Sequence, residues 1–130
     1  MLPKNDFFRV VQQRGPLPAE ALAEIDEQYE SAAEAAVQLA KAMPSIGLLS
    51  VAKRLNAFFA VCRHIDQLVE ADQISASQGQ LSILILRLAD SSFKKAAIMF
   101  DMRAGRFDAA ARAEMPRSAR LYLANLIASP

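Results

Sequence analysis

Two long apolar stripes with helical spacing, one on each side of a proline, constrain the fold of this chain more than any other feature. In each stripe apolar residues recur at alternating intervals of three and four, which places them on one side of an α-helix. The stripes comprise Leu22, Ile25, Tyr29, Ala32, Ala36, Leu39 and Met43, and then Leu48, Val51, Leu55, Phe58, Cys62, Ile65 and Val69. Pro44 between them has no N–H to donate and disfavours helical geometry at the preceding residue. The pattern predicts helices at about 18–43 and 46–72, folded back as an antiparallel hairpin.

A third long helix, at about 77–103, is predicted after a segment that can form a capping box, through Ser75 with Gln78 or Ser77 with Gln80. The first half of this helix is apolar on almost every side, so it needs cover from several neighbours. It is therefore either the central element of the fold or partly buried by a second subunit. A short strand is the competing assignment for its apolar start, but the capping signals and the helical continuation argue against it.

Composition supports a helical fold throughout. The chain is 53% hydrophobic and 22% charged, with only four glycines, and alanine, the best helix former, is abundant. The third helix is expected to stop at Gly105, in a left-handed conformation. Shorter helices are expected at about 6–13, 107–114 and 116–128. We predict one all-α domain over residues 1–130, an antiparallel bundle of about five to six helices.

The only cysteine and the only histidine, Cys62 and His64, raise the question of a catalytic pair or a shared metal site. Residues two apart on a helix are rotated by about 200° and do not face each other. Cys62 lies on the apolar stripe, so we expect it to be buried and His64 to be exposed, near Arg63 and Gln67. Without CxxC, HxxxH or a second histidine, we expect no metal site and no cofactor.

The usual signatures of catalysis are missing from the sequence. The glycines are dispersed and form no phosphate-binding loop, and no glycine-flanked serine accompanies the single histidine. The paired carboxylates of Asp26 and Glu30 fall on an alanine-rich surface helix, with no apolar pocket suggested around them. We therefore predict that the chain is not an enzyme and has no catalytic residues.

Cysteine usage and hydropathy indicate the compartment. A single cysteine cannot form an intramolecular disulfide, and the chain does not open with a secretory signal pattern. The longest apolar run, residues 81–89, is interrupted by Ser82 and Arg87 and is far shorter than the roughly 20 residues of a membrane-spanning helix. A cytoplasmic protein without a membrane segment is expected.

An excess of apolar helix surface beside a lack of reactive groups favours a protein-binding function, such as an adaptor, a chaperone-like protein or a regulatory subunit. We expect a protein partner, and a homodimer. The candidate contact residues are Phe58, Phe59, Val61, Leu68, Leu84 and Leu86. The alternative for all six is that they belong to the internal core.

Charge distribution leaves a nucleic-acid alternative open. Residues 1–50 carry four basic and seven acidic side chains, whereas residues 87–130 carry eight basic and four acidic ones. The basic part can complement the acidic part within the fold or between subunits, or contact phosphates. The candidate phosphate contacts are Arg103, Arg106, Arg112, Arg117 and Arg120. Ordinary solvated helix faces would give the same pattern, and a small-molecule sensor with a pocket between helices is a further alternative.

Overall fold

The computed structural model describes residues 5–7, 9, 19–42 and 50–128. Within these residues all regular structure is helical and no strand occurs, which confirms the predicted all-α bundle. The elements are α1 (Ala19–Ala42), α2 (Val51–Glu70), α3 (Ala76–Ala89), α4 (Ser91–Met102), a 3-10 turn (Ala104–Arg106), α5 (Ala109–Glu114) and α6 (Arg117–Ala128). Residues 5–7 and 9 are also helical, and the rest of the helix predicted at 6–13 lies outside the described residues. The strand alternative for the apolar start of α3 is wrong.

The helices that carry the two stripes lie close to their predicted positions. α1 matches its predicted range, whereas α2 begins at Val51, later than expected. Ser50 caps α2, because its hydroxyl oxygen accepts a hydrogen bond from the Lys53 amide at 3.1 Å. Pro44 and Ser45, the predicted break and the predicted cap, lie outside the described residues.

The two stripes form the core of the molecule, but they do not pack mainly against each other. Their buried members are Tyr29, Ala32, Ala36 and Leu39 on α1 and Phe58, Cys62 and Ile65 on α2. α1 packs chiefly on α3, whereas α2 packs chiefly on α4 and α6. Direct contact between α1 and α2 is small, so the expected hairpin pairing is a minor part of the core. The stripe of α1 is covered by α3, whereas the aromatic side of α2 is covered by α4 and α6.

α3 is the central helix and contacts α1, α2, α4 and α6. Its capping box forms through Ser75 and Gln78, with hydrogen bonds of 2.8 and 3.1 Å. The fully buried Ser82 hydroxyl lies 3.0 Å from the Ala32 carbonyl oxygen of α1 and 2.8 Å from the Gln78 carbonyl oxygen of its own helix. Most of the apolar surface of α3 is therefore covered within one chain, as predicted for a central element, and Leu84 is the exposed exception among its large apolar side chains.

The helix predicted at 77–103 is two helices, separated by Asp90. The Asp90 backbone is extended (φ −116°, ψ 116°), and its N–H donates to the Leu86 carbonyl at the end of α3. Its carboxylate accepts from the Phe93 amide at 2.9 Å and caps α4. Aspartate is among the best N-cap residues, so it ends one helix and starts the next. Gly105 falls in the 3-10 turn and is not left-handed, which corrects the predicted helix end.

A left-handed residue occurs instead at the end of α2, where Asp72 has a φ of 56°. The Asp72 N–H donates to the Val69 carbonyl at 3.0 Å, and the Gln73 N–H donates to the Leu68 carbonyl at 2.9 Å. This pair of bonds is a Schellman motif, with aspartate where glycine is usual. The motif turns the chain sharply, so α3 begins close to α2.

Aromatic rings join α2, α4 and α6 at the centre of the core. The Phe58 and Phe100 rings stack with centroids 4.4 Å apart, and the Tyr122 ring lies 5.3 Å and 5.7 Å from them in edge-to-face contacts. Such contacts add about 0.5–1.5 kcal/mol each beyond simple burial. They fix the Tyr122 ring, and this places its hydroxyl group beside α3.

Candidate functional site

The side of α3 that remains accessible carries Gln80, Leu84 and Arg87. These residues line a cleft of about 270 Å³ between α3 and α6. The other lining residues are Asp101, Tyr122, Asn125 and Leu126. Leu84 is 37% exposed and is one of four exposed large apolar side chains among the described residues. The central helix of the fold thus presents an apolar side chain to solvent at the edge of a concave surface.

The floor of the cleft is a hydrogen-bonded network of Arg87, Asp101 and Tyr122. The Arg87 guanidinium donates to the Asp101 carboxylate and to the Tyr122 hydroxyl, and that hydroxyl donates to the other carboxylate oxygen at 3.1 Å. The Arg87 and Asp101 side chains are only 14% and 20% exposed. The network therefore joins α3, α4 and α6 through a mostly buried ion pair.

The pKa shifts in this network preserve its hydrogen bonds. Burial raises the pKa of the Tyr122 hydroxyl to about 12, and the Asp101 charge adds to this effect. Burial disfavours the charged form of Arg87, but the hydrogen bond to Asp101 and the neighbouring charges outweigh it, so the pKa of the guanidinium lies above its ordinary value. Tyr122 is a neutral donor and Arg87 a cation throughout the physiological range.

α6, which carries Tyr122, is positioned by a carboxylate from another helix. The residue before α6 is Pro116, whose side chain cannot cap a helix. Asp66 of α2 takes this role: its two carboxylate oxygens accept from the Arg117 amide at 2.8 Å and the Ser118 amide at 2.9 Å. Amides in the first turn of a helix have no acceptor within that helix. They also lie at the positive end of the helix dipole, where a carboxylate is favoured.

Two further hydrogen bonds fix the start of α6 against α2 and α3. The buried Ser118 hydroxyl donates to the Cys62 carbonyl at 2.8 Å. The Gln80 amide nitrogen donates to the Ser118 carbonyl at 3.0 Å. Ser118 thus bonds to both neighbouring helices, and Gln80 lies at the end of the cleft opposite Arg87.

A second concave surface lies between α2 and the α5 segment. Its volume is about 300 Å³, and its apolar lining includes Phe59, Phe107 and Met115, with Arg63 and Glu114 among the polar residues. α5 has no buried residue of its own, so this groove lies beside a helix that contributes little to the core. The groove lacks the buried polar network of the first cleft.

The six predicted partner-contact residues fall into two groups. Three have little or no exposed surface, which corrects their candidacy as contact residues in favour of the core alternative: Phe58 (0%), Val61 (3%) and Leu86 (0%). Of the other three, Phe59 lines the second groove, Leu68 is partly buried on α2, and Leu84 lines the cleft. The apolar face broadens at these positions because α2 and α3 each pack against several helices.

The five arginines of the nucleic-acid alternative are spread along the C-terminal third of the chain. They are Arg103 after α4, Arg106 in the 3-10 turn, Arg112 on α5, and Arg117 and Arg120 on α6. All except Arg103 are exposed, and the Arg112 Nε donates to the Phe107 carbonyl at 3.0 Å. Phosphate contact by these side chains stays a prediction.

Cys62 and His64 occupy different environments, as the helical spacing predicts. The Cys62 side chain has no exposed surface, and burial raises the pKa of its thiol to about 12, which keeps it protonated and unreactive. His64 is partly buried rather than fully exposed. Within the described part of the chain, no group of three or more His, Cys, Asp or Glu residues is arranged to hold a metal ion.

The sequence contains one signal for the cleft, which is a charged residue within the apolar run of α3. Arg87 interrupts an apolar run, and a charged residue on a helix buried on several sides needs a partner. Nothing local identifies Asp101 or Tyr122 as that partner, because they lie 14 and 35 residues further along the chain. Asp66 was equally hidden, since the amides that it caps are 51 and 52 residues away.

No helix in the described ranges is long and apolar enough to cross a membrane. Scans against protein-family models, curated proteins and solved structures each returned no match to this chain.

Proposed function

We propose that this chain is a non-enzymatic protein–protein interaction module, an adaptor or regulatory subunit, and that the cleft beside α3 receives an apolar side chain from a protein partner. The observation that carries this proposal is the presence in one cleft of exposed Leu84 with Arg87 and Tyr122. Arginine is enriched at the energetic centres of protein interfaces, and an exposed leucine beside it gains from being covered.

The network in the cleft suits a binding surface because its side chains are already ordered. Arg87 and Tyr122 are held by hydrogen bonds to Asp101, so a partner does not have to immobilise them. Ordering a long side chain costs about 0.5–1.5 kcal/mol at an interface, and this cost is avoided here. The Arg87 charge is balanced by Asp101, so a neutral apolar side chain can approach without meeting an unpaired charge.

The open shape of the cleft favours a side chain over a whole metabolite. Pockets for small molecules usually enclose about 300–1,000 Å³ and bury most of the ligand. This cleft, with about 270 Å³, lies near the lower end of that range, and it is open to solvent along Leu84, so it would leave part of a small molecule uncovered. A protein partner therefore suits it better than the ligand of a small-molecule sensor.

A matched pair of substitutions tests the proposal. Leu84 and Leu121 are 37% and 39% exposed, but only Leu84 is among the residues that line the cleft. Wild type, Leu84→Lys and Leu121→Lys are immobilised, and proteins retained from a lysate of the native host are quantified by mass spectrometry. We expect one protein to be retained by wild type and by Leu121→Lys, and at least about tenfold less by Leu84→Lys, because interface centres contribute 2 kcal/mol or more.

The test has two opposing results. A partner lost equally with both lysine variants would place the contact elsewhere on the surface. A small molecule that remains bound in native mass spectrometry of wild type, and is lost in Leu84→Lys, would instead support the sensor alternative. Circular dichroism of both variants checks that the fold is retained.

We propose the cytoplasm as the compartment. Cys62 is a free and fully buried thiol, and free thiols are usual in reducing compartments. We propose no cofactor for the binding function, because the cleft chemistry described above needs none.

A further inference from the structure

The outer face of α4 combines cations with exposed apolar side chains. Met102 is 71% exposed, the largest value among the large apolar side chains of the described residues, and Ile98 is 39% exposed. Lys94 and Lys95 are exposed on the same side of the helix. We call Lys94, Lys95, Ile98 and Met102 the basic face. The opposite side of α4 is in the core, so this face is the part of α4 available to a partner.

A complementary surface exists on α1 of the same chain. Glu30 and Glu34 are exposed on its outer side, and Ala33 and Val37 beside them are partly exposed. We call Glu30, Ala33, Glu34 and Val37 the acidic face. Within the described residues neither its glutamates nor the two lysines of the basic face take part in an ion pair. Among the described residues, the opposite charges of the two faces are therefore not neutralised by ion pairs.

The spacing of the two faces also matches. Each face has a triplet at intervals of three and four, so the triplets have the same length along their helices. The triplets are Lys95, Ile98 and Met102 on α4 and Glu30, Ala33 and Val37 on α1. Aligned in parallel, they place the ammonium group against a carboxylate and the apolar side chains against each other. The antiparallel alignment would set Met102 against the Glu30 carboxylate, which is unfavourable.

We infer that the basic face of one copy docks on the acidic face of a second copy of this chain. The contact joins two different surfaces, and a two-fold axis that lets each copy use both surfaces would close it as a homodimer. Charge complementarity selects the partner surface, and burial of Met102 and Ile98 stabilises the contact. Because this surface does not include the cleft, the homodimer and the proposed cleft function fail independently.

Reciprocal charge reversal tests the docking. Sedimentation velocity is measured at micromolar concentrations for wild type, Lys94→Glu/Lys95→Glu and Glu30→Lys/Glu34→Lys. We expect wild type at twice 14.2 kDa and each variant alone at 14.2 kDa. An equimolar mixture of the two variants should return to twice 14.2 kDa, because every reversed face then meets an opposite charge.

The controls separate this contact from other surfaces. Arg106→Glu/Arg120→Glu changes net charge by the same amount as the lysine reversal, and it should remain dimeric, as should Leu84→Lys. A monomeric wild type, a dimer that persists in both reversed variants, or a mixture of folded variants that stays monomeric would overturn the inference. If either double variant unfolds, Lys95→Glu and Glu30→Lys replace the pair in the same exchange.

Discussion

The two ends of α3 meet their neighbours in different ways. Near its start, Gly79 approaches α2 so closely that a Cβ atom added to it would lie 2.8 Å from the Ile65 Cγ2. Near its end, Arg87 reaches α4 and α6 through Asp101 and Tyr122, and a cleft of about 270 Å³ opens there. One end is closed by direct packing, whereas the other is bridged by polar groups that leave space between the helices.

This difference separates the part of α3 that fixes the fold from the part that forms the candidate site. Close packing at Gly79 sets the distance between α2 and α3 and leaves no room for a ligand. An arginine and a carboxylate require hydrogen bonds in specific directions, so their helices cannot close together completely. A central helix can therefore stabilise the bundle at one end and remain accessible at the other.

The largest effect on stability is expected from a substitution of Arg87, which breaks the polar bridge from the end of α3 to α4 and α6. Arg87→Met leaves the mostly buried Asp101 carboxylate without its cation, and we expect a loss of about 3 kcal/mol in the free energy of unfolding. Urea denaturation measures this loss. Arg120→Met, at an exposed position, should stay within about 0.5 kcal/mol of wild type. Adding Asp101→Leu to Arg87→Met should recover much of the stability, and a double variant as unstable as the single one would contradict this view of the network.

The pH dependence of stability tests the same end without disturbing the arginine. The pKa of Tyr122 is raised from 10.0 to about 12, so its contribution is complete below pH 10 and is lost as the pH rises through 12. We expect wild type to lose about 2 kcal/mol over this range beyond the loss in Tyr122→Phe. Cys62, whose pKa is also raised, contributes to both proteins and cancels in the comparison. Parallel pH curves for the two proteins would show that the Tyr122 hydroxyl does not titrate as stated.

The placement of α6 is the next contribution to the bridged end. Asp66→Ala removes the carboxylate that accepts from the Arg117 and Ser118 amides, and loss of such a cap costs about 1–2 kcal/mol. Hydrogen exchange should show the start of α6 losing protection before the rest of the bundle. Asp66→Asn keeps one acceptor oxygen and should lie between Asp66→Ala and wild type. Equal protection of α6 in all three proteins would mean that another group caps this helix.

Much of the fold was predictable because its signals are local. The stripe through Phe58, Cys62 and Ile65 gave the buried side of α2, and the Ser75–Gln78 capping box gave the start of α3. Helix breaks were harder to predict, because the Asp90 carboxylate can cap α4 only if the Asp90 backbone leaves helical geometry, and nothing local in the sequence shows that it does. Which helices pair was not predictable, because an apolar stripe shows which side of α1 is buried but not which helix covers it.

The candidate site was less predictable because its contacts are distant in sequence. Ser82 and Arg87 were recognised only as interruptions of an apolar run, yet each makes a polar contact with another helix. A polar residue within an apolar run indicates that its side chain needs a polar partner, but it does not indicate which residue is that partner. Leu84 was among the predicted contact residues. It is exposed whereas Leu86 is buried, because the two side chains lie on different sides of α3.

The packed end gives the smallest and most specific prediction. Gly79→Ala gains about 1 kcal/mol in helix propensity but forces a methyl group against Ile65, and overpacking costs about 1–3 kcal/mol. The Ile65 Cγ2 cannot swing away easily because the side chain is branched at Cβ. We therefore expect a net loss of about 1 kcal/mol, measured by urea denaturation. In an Ile65→Ala background the obstacle is gone, so the same substitution should become stabilising. A loss of equal size in both backgrounds would mean that the contact between Gly79 and Ile65 does not set the distance between these helices.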